Sequence, residues 1–154
     1  MVDIFHIYFL HKEHDEHFQL TTHELIQEIL TCAEYDTDLD FKLSFPLFKK
    51  YMSSMFGEDI DIKCYNDTLQ FVCLDNKNLP SKITLNTDCL EEFNVIDDFN
   101  STFKICSKYM KYLSKLKKMN FIHIYLNDNK PVFFHIIRPG FNFRYYVALK
   151  TVED

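Results

Sequence analysis

Lys104, Lys108, Lys111, Lys115 and Lys118 follow one another at steps of four, three, four and three. If residues 104–118 (KICSKYMKYLSKLKK) form a helix, those steps place all five ammonium groups on one face. Cys106, Tyr109, Met110, Leu113 and Leu116 then occupy the other side and pack on the rest of the chain. The stripe is about 21 Å long at 1.5 Å rise per residue, and its length and sign suit a row of nucleic-acid phosphates. Lysine is a flexible point charge, fitted to contacts that slide along a backbone. The segment has no arginine, so bidentate reading of guanine edges is not suggested.

The plainer reading of a charged helix face is that water covers it. Solvated faces usually mix signs, because acid–base pairs one turn apart stabilise a helix and like charges repel. Residues 104–118 hold six lysines and no acid, in a chain of net charge −6. Removing those six from the 17 basic residues leaves 11 against 23 acidic ones. One basic segment in an otherwise strongly acidic chain points to an anionic partner.

Other chemistry-bearing residues lead to less. His11, His14 and His17 stand three apart in HKEHDEH, a spacing that on a helix could bind zinc or nickel. The flanking alternation makes them exposed residues at a hairpin tip, so no metal site is assigned. A small metal-binding or hydrolytic domain using them is the alternative from a different functional class. His123 and His135 alternate within strands and read as structural. No serine or cysteine has the glycine-bounded turn of a nucleophile, and Gly57 and Gly140 are the only glycines, too few for a phosphate-cradling loop. Cys32, Cys64, Cys73, Cys89 and Cys106 form no CxxC pair and read as reduced thiols. The chain is therefore expected to be no enzyme and to need no cofactor. No apolar run approaches the roughly 20 residues that cross a bilayer, and no membrane partner is expected.

The elements that must position the lysines follow from periodicity. Residues 2–20 predict a β-hairpin, and 21–38 a connecting segment with apolar anchors at Leu25, Ile26, Ile29 and Leu30. From residue 39 a pattern begins and repeats. Phe41, Leu43 and Phe45 alternate as in a strand. Pro46 opens a short helix whose inward face is Leu47, Phe48, Tyr51, Met52 and Met55, and Gly57 stops it. Strands are predicted at 59–65, 68–74 and 82–87, with a tight turn at Asn66-Asp67. The second cycle has a strand near 90–96, the basic helix, and strands at 120–126, 131–137 and 143–149. The acidic stretch 91–98 (EEFNVIDD) suits a solvent-facing edge strand. The expected fold class is α+β: a duplicated strand–helix–three-strand unit, with two helices packed on antiparallel sheets.

Lys108-Tyr109-Met110-Lys111-Tyr112-Leu113-Ser114-Lys115 resembles the basic second helix in the C-terminal domain of proliferating cell nuclear antigen, the DNA sliding clamp family. Phe143-Arg144-Tyr145-Tyr146-Val147-Ala148-Leu149-Lys150, closing with Glu153-Asp154, resembles that family's final strand and acidic terminus. Pro131-Val132-Phe133-Phe134 stands where the family has its penultimate strand. The resemblance is collinear. It makes 1–20 the terminal hairpin of a truncated first clamp domain, 21–38 the interdomain connector, and 39–154 the C-terminal clamp domain.

The resemblance implies a polymerase processivity factor, or a fragment of one, that tracks double-stranded DNA. Lys108 and Lys115 match hole-lining basic positions, joined by Lys104, Lys111 and Lys118, with Lys49 and Lys50 on the first helix. It further implies docking of DNA polymerase or other clamp-binding proteins at Leu25, Ile26, Tyr146 and Ala148. Leu149 stands where the family usually has a proline. A homo-oligomer, or association with a fuller clamp subunit, is expected, in the nucleus or, for a viral protein, the cytoplasm. A checkpoint-type clamp subunit or a clamp-like viral transcription accessory is the alternative within the same fold.

Overall fold

The computed structural model describes the backbone of residues 2–10 and 15–23, and residues 36–66, 68–75, 77 and 79–150 in full. The chain divides into two compact units, Met1–Tyr35 and Asp36–Asp154. The first contains a hairpin of β1 (Val2–Leu10) and β2 (Asp15–His23). They pair antiparallel from Val2↔His23 to Leu10↔Asp15, so the second strand runs three residues beyond the expected end at 20. Leu25, Ile26, His11 and His14 lie outside the described residues, as does the side chain of His17.

The second unit holds β3 (Leu39–Ser44), α1 (Phe45–Ser54), β4 (Asp59–Tyr65), β5 (Thr68–Leu74), β6 (Pro80–Leu85), β7 (Glu92–Val95), β8 (Ser101–Cys106), α2 (Ser107–Ser114), β9 (Phe121–Leu126), β10 (Val132–Arg138) and β11 (Phe141–Val147). They form a five-stranded sheet in the order β11-β10-β9-β3-β7 and a four-stranded sheet in the order β6-β5-β4-β8. All pairings are antiparallel. Alternation explains the layering. Leu39, Phe41 and Leu43 of β3, Ile60 and Ile62 of β4, Ile122 and Ile124 of β9, and Phe134 and Ile136 of β10 enter one buried cluster. Their odd-numbered or even-numbered neighbours face out. The acidic strand β7 takes the edge of its sheet, as its charge predicts.

Pro46 sits in the first turn of α1, where a missing N–H costs nothing. Phe45, Phe48 and Met52 are its buried residues, and Met55 caps its end. Gly57 has a different task from the expected helix stop. It is buried where a β-carbon would collide with the Leu74 carbonyl oxygen, so close backbone approach demands glycine. Its own carbonyl accepts the Ser107 hydroxyl at 2.6 Å, and the Ser107 N–H donates to Glu58 O at 2.8 Å. The start of α2 is thereby tied to the loop after α1. Gly140, at φ 73, closes the two-residue turn from β10 to β11, with Arg138↔Phe141 the last pair.

The second cycle departs from the expected pattern. It has two strands before its helix, and α2 is eight residues long. Lys104 is therefore in β8, between buried Phe103 and Ile105, opposite Asp61 of β4. Six consecutive pairs join β8 to β4, and that ladder overrides the helical spacing of the lysines. At the other end the N–H of Lys115 closes the helix onto Tyr112 and Leu113 carbonyls. Lys118 lies beyond it in the left-handed region, φ 59.

Candidate nucleic-acid interface

The two helices touch each other, α1 resting on β3 and β9 and α2 on β4 and β8. Ser107, Met110 and Leu113 turn α2 onto the core. At 100° per residue the opposite crest is Lys108, Tyr112 and Lys115, and all three are exposed. Lys111 flanks the crest half-buried, and Tyr109 flanks its other side. On α1 the exposed cations are Lys49 and Lys50. Exposed Lys117 and Lys118 follow α2. None of these seven lysines forms an ion pair among the described residues.

Aromatic rings stand among the cations. Lys108 Nζ lies 4.9 Å from the Tyr109 ring centre and Lys115 Nζ 5.1 Å from that of Tyr112, both within cation–π range. Tyr145 of β11 is close by. Burial first, then the hydroxyls of Tyr109 and Tyr112, hold it above the usual phenol pKa. Beside the start of α1, Phe45, Pro46, Lys49, Leu116, Lys117, Lys118 and Met119 line a notch of about 440 Å³.

Lys104 lies elsewhere. With Lys63 it lines a cleft of about 400 Å³ among Glu58, Asp59, Asp61 and Asp75, on the outward face of the four-stranded sheet. Lys150 pairs with Asp59 at 2.5 Å, and that hydrogen bond raises the Lys150 pKa. Of the five-lysine stripe, Lys108 and Lys111 share the helix, Lys115 caps its end, Lys118 joins the notch, and Lys104 leaves for acidic company. Lys117 was not among the expected contacts, because its spacing is off the stripe. Only the turn after α2 brings it next to Lys49.

Of the expected docking residues within the described set, Tyr146 stacks on Phe133 with ring centres 4.7 Å apart, on the edge strand β11. Ala148 is exposed, and Leu149 packs against the core. His123 is held by Asp40 Oδ1 at 2.8 Å and the Tyr125 hydroxyl at 2.9 Å. Burial, then the carboxylates of Asp40 and Glu92, raise the Tyr125 pKa. His135 meets Asn142 Oδ1 at 2.9 Å. Among the described residues no group of three or more His, Cys, Asp or Glu is placed to hold a metal.

No protein-family model matches the sequence, and no curated protein matches it. Solved structures do match. One is the crystal structure of a PCNA2–PCNA3 complex from Sulfolobus tokodaii, with a TM-score of 0.71 at 16% identity. The match covers 96% of this chain and 61% of that chain, so the present chain spans less than two thirds of that clamp subunit. Two helices with two antiparallel sheets are thus the fold of a sliding-clamp domain.

Proposed function

We propose that this chain is a DNA sliding-clamp subunit, or part of one, that tracks duplex DNA through its helix face and acts as a non-enzymatic processivity factor. The observation that carries the reading is the seven-lysine surface of α1, α2 and the following turn, free of ion pairs among the described residues. A phosphate backbone supplies the missing anions, and unpaired lysines release its counterions without selecting a sequence. Lys108 and Lys115 at the crest of α2 make the central contacts, with Lys49, Lys50 and Lys111 beside them.

Encirclement requires more than one such domain. Among the described residues β11 and β7 are the edge strands of one sheet and β6 and β8 those of the other, and the Lys150 N–H already covers part of β8 by donating to the Lys104 carbonyl at 2.8 Å. Such edges suit association with further copies or with a fuller clamp subunit. Replication proteins would dock near Tyr146 and Ala148.

Retention on nicked circular duplex, with release after the circle is cut, tests the reading. Binding should also weaken with salt, log K falling by about 0.9 per neutralised phosphate against log salt. Equal retention on circle and linear duplex refutes encirclement, and a flat salt response refutes backbone tracking.

A further inference from the structure

The notch beside the start of α1 has a lining that a duplex backbone does not call for. A duplex presents phosphates and sugars outward and keeps its bases stacked inside. A lysine ridge answers that surface fully. The notch adds a concave apolar floor of Phe45, Pro46, Leu116 and Met119 under three cations, Lys49, Lys117 and Lys118, and no acid among the described residues lines it. The first turn of α1 has no acidic residue either, so the local field stays positive. At about 440 Å³ the space falls in the range of about 300–1,000 Å³ typical of small-molecule sites. The chemistry that satisfies both parts is a flat apolar ring joined to a phosphate.

We propose that this notch seats an unpaired nucleotide of a DNA strand, with its phosphate on Lys49, Lys117 and Lys118 and its base against Pro46 and Leu116. The inference rests on the reading that the helix face meets DNA, and it adds a preference for junctions where a strand leaves the duplex. Bases of any sequence have an apolar face, so the preference is for unpaired structure and not for letters. The acidic cleft around Asp59 and Asp61 would repel the same ligand, which confines it to this side.

Fluorescence anisotropy on the full chain tests it with three labelled probes: a blunt duplex, the same duplex with a short unpaired tail, and that tail made abasic. The tailed duplex should bind about tenfold tighter than the blunt one, and the abasic tail should lose most of that gain although its phosphates remain. Lys117→Ala with Lys118→Asn should abolish the tail preference and lower the salt slope on the tail by about 1.4. Asparagine tolerates the left-handed backbone at 118, so this variant keeps the turn. An abasic tail that binds as tightly as the intact one, or a double variant that keeps the preference, overturns the proposal. Lys108→Ala with Lys115→Ala separates the two readings, since it should weaken all three probes alike. If that pair has no effect while the tail preference survives, the tracking reading fails and the notch stands. If it weakens all probes and no tail preference exists, the notch fails alone.

Discussion

Lys104 and Lys108 are four residues apart and end on opposite sides of one sheet. Lys104 projects from β8 into a cleft with four carboxylates. Lys108 projects from α2, which packs over the other face of that sheet through Met110 and Leu113. The letters are the same and the surroundings are reversed: one lysine shares its cleft with carboxylates, and the other stands over the Tyr109 ring on a lysine-bearing helix face. A cation's role is therefore set by the period of the element that carries it. Charge counting along the chain merges the two groups, while the fold sorts them into a basic side and an acidic side.

The largest effect expected from disturbing this sorting comes at the joint beneath both sides. Gly57→Val drives a side chain into the Leu74 carbonyl and loosens the anchor of α2. A loss of about 3 kcal/mol of stability is expected, read from a lowered urea midpoint. Charge reversal on the basic side comes next. Lys108→Glu with Lys115→Glu should lower duplex affinity about 30-fold, or 2 kcal/mol, at moderate salt, leaving the melting temperature nearly unchanged. Lys104→Glu sharpens the contrast. It should leave duplex affinity within about twofold, yet it sets a like charge opposite Asp61 and should cost about 0.5 kcal/mol of stability. If Lys104→Glu weakens DNA binding as strongly as the Lys108 and Lys115 pair, the two-sided picture is wrong.

The smallest effect belongs to the edge strand β7. The hydrogen bond from Lys42, at 2.7 Å, holds the Glu92 carboxyl below its ordinary pKa of 4.5. A depressed carboxyl stabilises the fold above its unfolded pKa and loses that contribution as pH falls through the lower folded value. Because the pair is largely exposed, the contribution is at most a few tenths of a kcal/mol. Denaturation midpoints at pH 6 and pH 3 should differ less in Glu92→Gln than in the unaltered chain by that small margin.

Much of this arrangement could be read from the letters. Strands at 59–65 and 68–74 match β4 and β5 residue for residue, because their alternation is unbroken and a turn sits between them. The first helix was visible from Pro46 and the spacing of Phe48 and Met52. The start of the second helix was not. Residues 101–106 (STFKIC) fit a strand by alternation and a helix by lysine spacing, and only pairing to a strand some 40 positions earlier decides between them. The notch was less legible still. It needs the helix to stop at Ser114 and the chain to turn through Lys118, and neither event is marked by a glycine or proline.

Lys118 shows what that turn demands. An L-residue with a β-carbon is uncomfortable at φ 59, by about 1–2 kcal/mol relative to glycine. Selection for heat tolerance alone would favour glycine or asparagine at this position. Variants improved in that way should emerge hardier in the melting curve and blunter toward nucleic acid, so resilience and grip compete at a single backbone angle.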